Sequence, residues 1–377
     1  MTSSPNRGDG LYALNAVCPY FTMFPLEFPI SVLRELDVTR KRQGIVVDPF
    51  CGRGTTNLAA LIFGKDTVGV DCAPVAVAAT AGKLRAAEVS VEGVVAEAKM
   101  FLDASNGCDV PDGEFWSLAF ERSVLRGICA LREGLKSQPS TPTRDLLRAI
   151  MLGALHGPRR VDGSSSYLSN QMPRTYAPKP SYSVRYWQTH GMTPAKTNVL
   201  SVVEMRAKRI LRFRALRGSG SAYQADSRTF DWHAVISELG PARWIVTSPP
   251  YYGLRTYRPD QWIREWFLGG PSHVVYVSKE QLRHSSPEDF MEDLFLVWNA
   301  LQDVANPDPK LIFRFGAIND RPISVRKMAR ASLRDTRWRI DEIRSAGVAS
   351  HGHRQARSFN RSSKPALTEI DIWCSLR

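Results

Sequence analysis

The chain has 377 residues, 43% of them hydrophobic, enough for a sizeable core, and no apolar run approaches the roughly 18 to 20 residues that cross a bilayer. Its opening MTSSPNRGDG lacks the charged and then apolar regions of a secretory signal, so a cytoplasmic, enzyme-sized protein without a membrane partner is expected. The net charge of +13 favours a polyanion, nucleic acid first, and six scattered cysteines without a C-x-x-C pair or nearby histidine ligands offer neither a zinc site nor a disulfide framework.

In chain order, residues 45–50 (IVVDPF) are an apolar, β-branched run, followed by CGRGTT and then by the helix-forming NLAALIFG: strand, tight turn, helix. A second strand at 67–70 (TVGV) ends at Asp71 and leads into an Ala-rich stretch with Pro in its first turn. From about residue 89 to 216 the pattern is helical and then irregular, with a basic helix expected at 203–217 and GSGS as a flexible joint after it. Strand chemistry returns at 222–225, ending at Asp226, at 244–247, ending at Ser248, at 311–316, and in the alternating TEIDIWCSL near the end. The expected fold is α/β, a doubly wound sheet interrupted by a mainly helical insert. Residues 1–84 and 221–377 would form the two halves of one catalytic domain, and 85–220 the insert.

Asp48-Pro49-Phe50-Cys51-Gly52-Arg53-Gly54-Thr55-Thr56 closes the first strand. Glycines at such a turn let the backbone approach a ligand that binds beyond the carboxyl ends of the strands. The segment lacks the Gly-Lys-Ser/Thr of a phosphate loop and the third glycine of the dinucleotide fingerprint, which disfavours an ATPase or dehydrogenase. Asp71 stands near the roughly 20-residue offset at which an acid reaches ribose hydroxyls. A ribose without a phosphate clamp fits an adenosyl ligand. An ordinary Gly-rich turn with a surface Asp is the bland alternative.

Thr247-Ser248-Pro249-Pro250-Tyr251-Tyr252 follows a later strand. The prolines fix φ and supply no N–H, leaving backbone carbonyls as acceptors on a rigid arc. A ring amine is a weak nucleophile because its lone pair is delocalised. The Ser248 oxygen and the Pro249 carbonyl, each accepting one N–H, would draw the nitrogen toward tetrahedral geometry, ready for in-line attack on a sulfonium methyl. Tyr251 would stack on a base flipped out of its duplex. The bland alternative makes Ser248 an N-cap and Pro249 the first residue of a helix.

On these two motifs the chain resembles the amino-group DNA methyltransferases of the N4-cytosine/N6-adenine type. The family's D-P-F-x-G-x-G-T is matched by residues 48–55, its catalytic S/N/D-P-P-Y/F by 248–251, and its acidic residue after the second strand by Asp71. The resemblance implies a Rossmann-like class I methyltransferase sheet and S-adenosyl-L-methionine as cofactor. It assigns catalysis to Ser248, Pro249, Pro250 and Tyr251. The methionine part of the cofactor falls to Asp48, Pro49, Phe50, Gly52, Gly54, Thr55 and Thr56, helped by Tyr20, Thr22, Phe24 and Pro25 in the F-P-containing stretch before the first motif. Asp71 and, beside the adenine ring, Asp226 and Ser227 complete the pocket.

The activity so implied is site-specific methylation of cytosine N4 in double-stranded DNA, within restriction-modification and alongside a cognate endonuclease. N6-adenine is the alternative target, with RNA or a protein amide further off. The motif order, cofactor first and catalytic about 190 residues later, differs from the best-known N4-cytosine order and leaves the insert as a natural DNA reader. Arg159, Arg160, Arg174 and Lys179 are its candidate DNA contacts, interleaved with His156, Arg185, Tyr167, Tyr176, Tyr182, Tyr186 and Trp187, and after the catalytic loop Arg255, Arg258 and Trp262 stand where a lid or DNA wall could form, although Trp262 equally suits a core. His351 and His353 lack carboxylate or cysteine company, so no metal is expected there and a DNA-facing loop is favoured.

Overall fold

The computed structural model describes residues 10–18, 24–38, 43–104, 108–157, 166–171, 180–212, 216–252, 261–275, 281–316, 324–348 and 368–377. Two helices, α1 (Gly10–Asn15) and α2 (Glu27–Glu35), precede β1 (Ile45–Asp48), and α3 (Thr55–Ile62), β2 (Thr67–Asp71) and α4 (Pro74–Leu84) follow it. The opening is therefore the β-α-β-α that the sequence predicts, with Pro74 opening α4. Next come α5 (Val91–Asp103), α6 (Glu114–Ala119), α7 (Arg122–Ser137), α8 (Pro142–Ala154), α9 (Pro180–Thr189) and α10 (Val199–Ile210), with no strand between them among the described residues. The chain then runs β3 (Gly220–Gln224), α11 (Trp232–Leu239), β4 (Ala242–Thr247), α12 (Trp262–Phe267), α13 (Pro287–Asp303), β5 (Ala305–Phe315), α14 (Val325–Ser332), β6 (Trp338–Val348) and β7 (Thr368–Leu376).

Two units divide these elements. One comprises Met1–Tyr20, Ala78–Ala215 and Tyr257–Ser278; the other comprises Phe21–Val77, Leu216–Thr256 and Lys279–Arg377. The second holds all seven strands, in the order β3-β2-β1-β4-β5-β7-β6. The first five run parallel to their neighbours, and β7 lies antiparallel between β5 and β6. The fold is the doubly wound, Rossmann-like sheet of class I methyltransferase type. The passage from β1 through α3 to β2 moves one way along the sheet, and that from β4 through α13 to β5 moves the other. Right-handed crossovers then put α3 and α13 on opposite faces. The order reverses between β1 and β4, and in open α/β sheets the crevice for a ligand lies beyond the strand ends at that reversal.

Side-chain direction follows the strand period of two, and β1, β2 and β4 are buried on both faces. Ile45, Val47, Val68, Val70, Ile245, Leu311, Phe313, Phe315, Ile370 and Ile372 point to the face covered by Trp232 and Ile236 of α11, Phe290, Leu294, Val297 and Trp298 of α13, and Met328 of α14. The indole N–H of Trp298 donates to the Ser332 hydroxyl (3.3 Å), and that of Trp338 to the Trp298 carbonyl (3.0 Å), so both of these indole donors are satisfied. Ser286 caps α13 by accepting from the Asp289 N–H, with Pro287 in the first turn.

The other unit is helical among its described residues and carries an aromatic cluster. Trp116 and Trp266 lie 4.6 Å apart, and Phe115 lies 5.0 Å from Trp262 and 5.6 Å from Trp187. Trp187 is wholly buried and donates to the Gln171 carbonyl, and Trp262 is buried too. Both are core residues, which corrects the expectation that Trp187 lines a DNA surface and selects the core alternative for Trp262. His156 is likewise buried; burial, aided by the charge of Arg264, holds its imidazole well below the ordinary pKa, so it is neutral and unsuited to a phosphate. The basic helix expected at 203–217 is α10, which starts earlier and ends at Ile210, with Lys208 paired to Glu204 at 2.5 Å. Among the described residues no helix is long and apolar enough to cross a membrane.

Candidate active site

Both sequence motifs belong to the sheet-bearing unit and lie at its strand reversal. β1 and β4 pair in parallel, Val46 opposite Trp244 and Val47 opposite Ile245, so Asp48 and Thr247 leave the sheet side by side. The Thr247 hydroxyl donates to Asp48 Oδ1 at 2.5 Å, with both residues fully buried. The same oxygen accepts the Phe50 N–H at 3.1 Å, while Asp48 Oδ2 is buried without a hydrogen-bond partner. Burial pushes the Asp48 carboxyl up to about 7, against the hydrogen bonds from Thr247, Thr56 and Phe50 that lower it, and the charge of Asp71 adds to the rise. The buried Thr56 hydroxyl stands beside this carboxyl as a further donor.

The loop after β1 turns through left-handed backbone at Gly52 (φ 51°) and Gly54 (φ 72°), the latter preceding α3. A Cβ built on Gly52 meets no atom of the described residues within 4 Å, so among them the space before this loop is open. Thr55 and Thr56 begin α3 and are buried. Asp71 ends β2 and binds the loop: Oδ2 accepts the Gly52 N–H and Oδ1 the Ala73 N–H, each at 2.9 Å. Its pKa is raised by burial and partly restored by those two N–H groups. Each oxygen keeps a second lone pair for a ligand hydroxyl. Phe50 turns its ring to the core, edge-on to Trp298 at 6.2 Å. Phe24 packs edge-on to Phe28 at 5.3 Å, and Pro25 beside it is half-buried.

The turn after β3 is tied to the same place. The buried Ser227 hydroxyl donates to the Pro49 carbonyl, and the Ala225 N–H to the Asp71 carbonyl at 3.1 Å. Asp226 accepts from Arg228 Nε at 2.9 and 3.0 Å, and Arg228 Nη1 reaches Asp293 of α13 at 2.8 Å. Burial works to raise the Asp226 carboxyl, but the hydrogen bonds and charge of Arg228 outweigh it and hold the group below its ordinary pKa. The Ser227 hydroxyl is thus committed to Pro49, and the Asp226 carboxylate is shared with an arginine.

Beyond β4 the chain does not start a helix, so the capping alternative for Ser248 is not what forms. Ser248 is half-buried and Pro249 buried; among the described residues the Ser248 hydroxyl makes no hydrogen bond. Tyr252 is buried against Phe290, whereas the Tyr251 hydroxyl donates to Glu369 Oε1 of β7 at 2.6 Å. Beside it, Arg314 of β5 makes a two-pronged bond to Asp371 (2.7 and 2.8 Å) and lies over the Phe28 ring at 4.0 Å.

Sequence reasoning passed over Glu369, Arg314 and Asp371. A signal was there: a lone arginine inside LIFRFG and two acids alternating with Ile370 and Ile372 in TEIDIW ask for each other across a strand pair. Tyr20, Thr22, Arg159, Arg160, Arg174, Tyr176, Lys179, Arg255, Arg258, His351 and His353 lie outside the described residues. Of the remaining insert positions, Tyr182 is exposed, Arg185 donates to the Ser181 carbonyl, Tyr186 stacks on His190 at 4.3 Å, and Tyr167 lies under Arg206 at 4.7 Å.

No family model and no curated protein matches the chain. Two solved structures of the rRNA methyltransferase aviRa from Streptomyces viridochromogenes are similar to it. One has 12% identity, a TM-score of 0.36, and covers 95% of this chain and 87% of that one. The other has 11% identity, a TM-score of 0.37, and covers 97% and 90%. The fold assignment rests on strand order and pairing, not on these weak likenesses.

Proposed function

We propose that the chain is an S-adenosylmethionine-dependent methyltransferase that modifies the exocyclic N4 of a flipped cytosine in double-stranded DNA, as the modification partner of a restriction endonuclease. The Thr247–Asp48 hydrogen bond carries the reading, because it joins the end of the loop suited to a cofactor to the start of the loop suited to an amine. The residues fit the cofactor: Asp48 Oδ2 is an acceptor suited to an α-ammonium group, the described residues leave the space before Gly52 open, and Asp71 retains lone pairs for a ribose diol. Bound there, S-adenosylmethionine supplies an electrophilic methyl on a positively charged sulfur.

The chain's own residues would do the rest. Ser248 Oγ and the Pro249 carbonyl accept the two N–H groups of the amine, which localises the nitrogen lone pair and points it at the methyl carbon. Nitrogen gains the methyl and gives up one proton, and the sulfur keeps the electrons of the broken bond. The Tyr251 ring supports the extruded base by stacking. The net charge of +13 supports a nucleic-acid substrate.

Incubation with labelled cofactor and either DNA or RNA, followed by digestion to nucleosides, tests the reading. N4-methyldeoxycytidine is expected; N6-methyldeoxyadenosine moves the target to adenine, and label on RNA or protein alone rejects DNA as substrate.

A further inference from the structure

The Tyr251 side chain is held from the sheet as well as by its own loop. Its hydroxyl donates to Glu369 Oε1 at 2.6 Å, and Glu369 is buried at the start of β7. Its ring meets Phe315, the last residue of β5, edge-on at 6.4 Å with planes 87° apart. Gly316 follows, and a Cβ there would stand 2.9 Å from Tyr251 Cε2 and 3.1 Å from Cζ, too close for any side chain without moving the ring. Two strands thus fix the ring at three points: a hydrogen bond at the tip, an aromatic edge, and a side-chain-free backbone position against the Cε2–Cζ side.

Glu369 is itself set in place by its register. In β7 it shares a face with Asp371, which pairs with Arg314 directly across β5, while Ile370 and Ile372 on the other face are buried in the core. Glu369 is buried in a strand end beside the Arg314–Asp371 pair, and the charge of Arg314 acts on it as well, so the carboxylate that takes the Tyr251 hydroxyl is itself held in place.

We propose that Glu369 is a positioning residue which, through the Tyr251 hydroxyl, sets the plane on which the target base stacks, and that Gly316 keeps the room for that ring. The inference rests on the methyl-transfer reading for its consequence, since a ring merely packed in a wall would need no such tether. A flipped base stacks with its plane parallel to its support, so a rotation of the ring carries the amine away from Ser248 Oγ and the Pro249 carbonyl. The tether belongs to a neutral tyrosine hydroxyl donating to an acceptor oxygen, so a glutamine at 369 keeps it and an alanine does not.

The test uses the full chain as Glu369→Ala, Glu369→Gln, Tyr251→Phe and the Tyr251→Phe/Glu369→Ala double variant. For methylation of DNA, Glu369→Ala and Tyr251→Phe are each expected to lower kcat about tenfold or more with the cofactor KM unchanged, Glu369→Gln to stay within about threefold of wild type, and the double variant to be no worse than the singles. Nitration of Tyr251 by tetranitromethane, read by mass spectrometry, reports the tether without any turnover: Glu369→Ala should speed it and Glu369→Gln should not. A wild-type enzyme that methylates DNA while the variants match it in kcat and Glu369→Ala matches it in nitration overturns the proposal, as does a double variant in which the two losses add. A wild type that methylates nothing, with nitration still faster in Glu369→Ala, instead rejects the methyl-transfer reading and leaves the tether standing; unchanged nitration there overturns both.

Discussion

The Thr247 hydroxyl and the Asp48 carboxylate meet at 2.5 Å in a place with no water-exposed surface on either side chain, joining β4 to β1 where the strand order reverses. Thr247→Val keeps the shape and removes the donor. Because the acceptor is a buried carboxyl, the loss should cost about 1 to 3 kcal/mol of stability, seen as a lower guanidinium midpoint at an unchanged slope. A midpoint equal to that of wild type would show that the bond contributes nothing.

Asp48 also predicts how stability varies with pH. Burial raises its carboxyl to about 7, whereas in the unfolded chain it titrates near the ordinary value of about 3.9. Between those values the folded chain holds a proton that the unfolded chain has released, so this group's contribution is fully present at low pH, declines as pH rises through the window, and is gone above about 7. Asp48→Asn should flatten that decline. Denaturation of both proteins at pH 5 and pH 8 checks it; a difference between them that grows in favour of wild type toward pH 8 contradicts the sign.

A cationic ligand group at Asp48 Oδ2 would favour the charged carboxylate, so affinity for S-adenosylhomocysteine should rise with pH through about 7 and then level. Calorimetric titration across pH 6 to 8 should also detect protons released on binding. No pH dependence in wild type, or the same dependence in Asp48→Asn, removes Asp48 from the site.

Gly52→Ala separates strain from obstruction. The positive φ should cost about 1 to 2 kcal/mol of stability, because an L side chain there crowds its own carbonyl. The added methyl enters space that nothing in the described chain fills, so S-adenosylhomocysteine should bind at least about tenfold more weakly. An unchanged Kd would place the ligand elsewhere.

Ser248→Ala leaves the fold untouched, since among the described residues its hydroxyl makes no hydrogen bond. Loss of an acceptor aimed at the reacting amine should lower kcat by about a hundredfold while cofactor Kd stays within about twofold. A parallel fall in both would make Ser248 part of the cofactor's wall.

The parallel core of the sheet was readable because each strand is short, apolar and ends in a polar residue: β1 at Asp48, β2 at Asp71, β4 at Thr247. β6 escaped notice. Its WRIDEIRSAGV carries charges on both faces, as an edge strand can, and so shows no clean alternation. The loops of the site were equally visible, since Gly52, Gly54 and the paired prolines have few other uses. What bonds to them was not. Thr247 to Asp48, Ser227 to Pro49 and Tyr251 to Glu369 span 118 to 199 residues of sequence, and single-sequence periodicity carries no information across such distances. The aromatics of the helical unit misled for a related reason: tryptophan suits a base and a core equally, and Trp187 chose the core.

The antiparallel insertion of β7 between β5 and β6 gives the last hairpin a say in chemistry it never touches. Side chains alternate, so a slip of β7 by one residue would bring Glu369 and Asp371 under α13 and turn Ile370, Ile372 and Cys374 outward. Arg314 would then lose its mate and Tyr251 its anchor in the same event. An error of about 3.4 Å in how β7 zips onto β5 would therefore look, to an enzymologist, like a damaged active site.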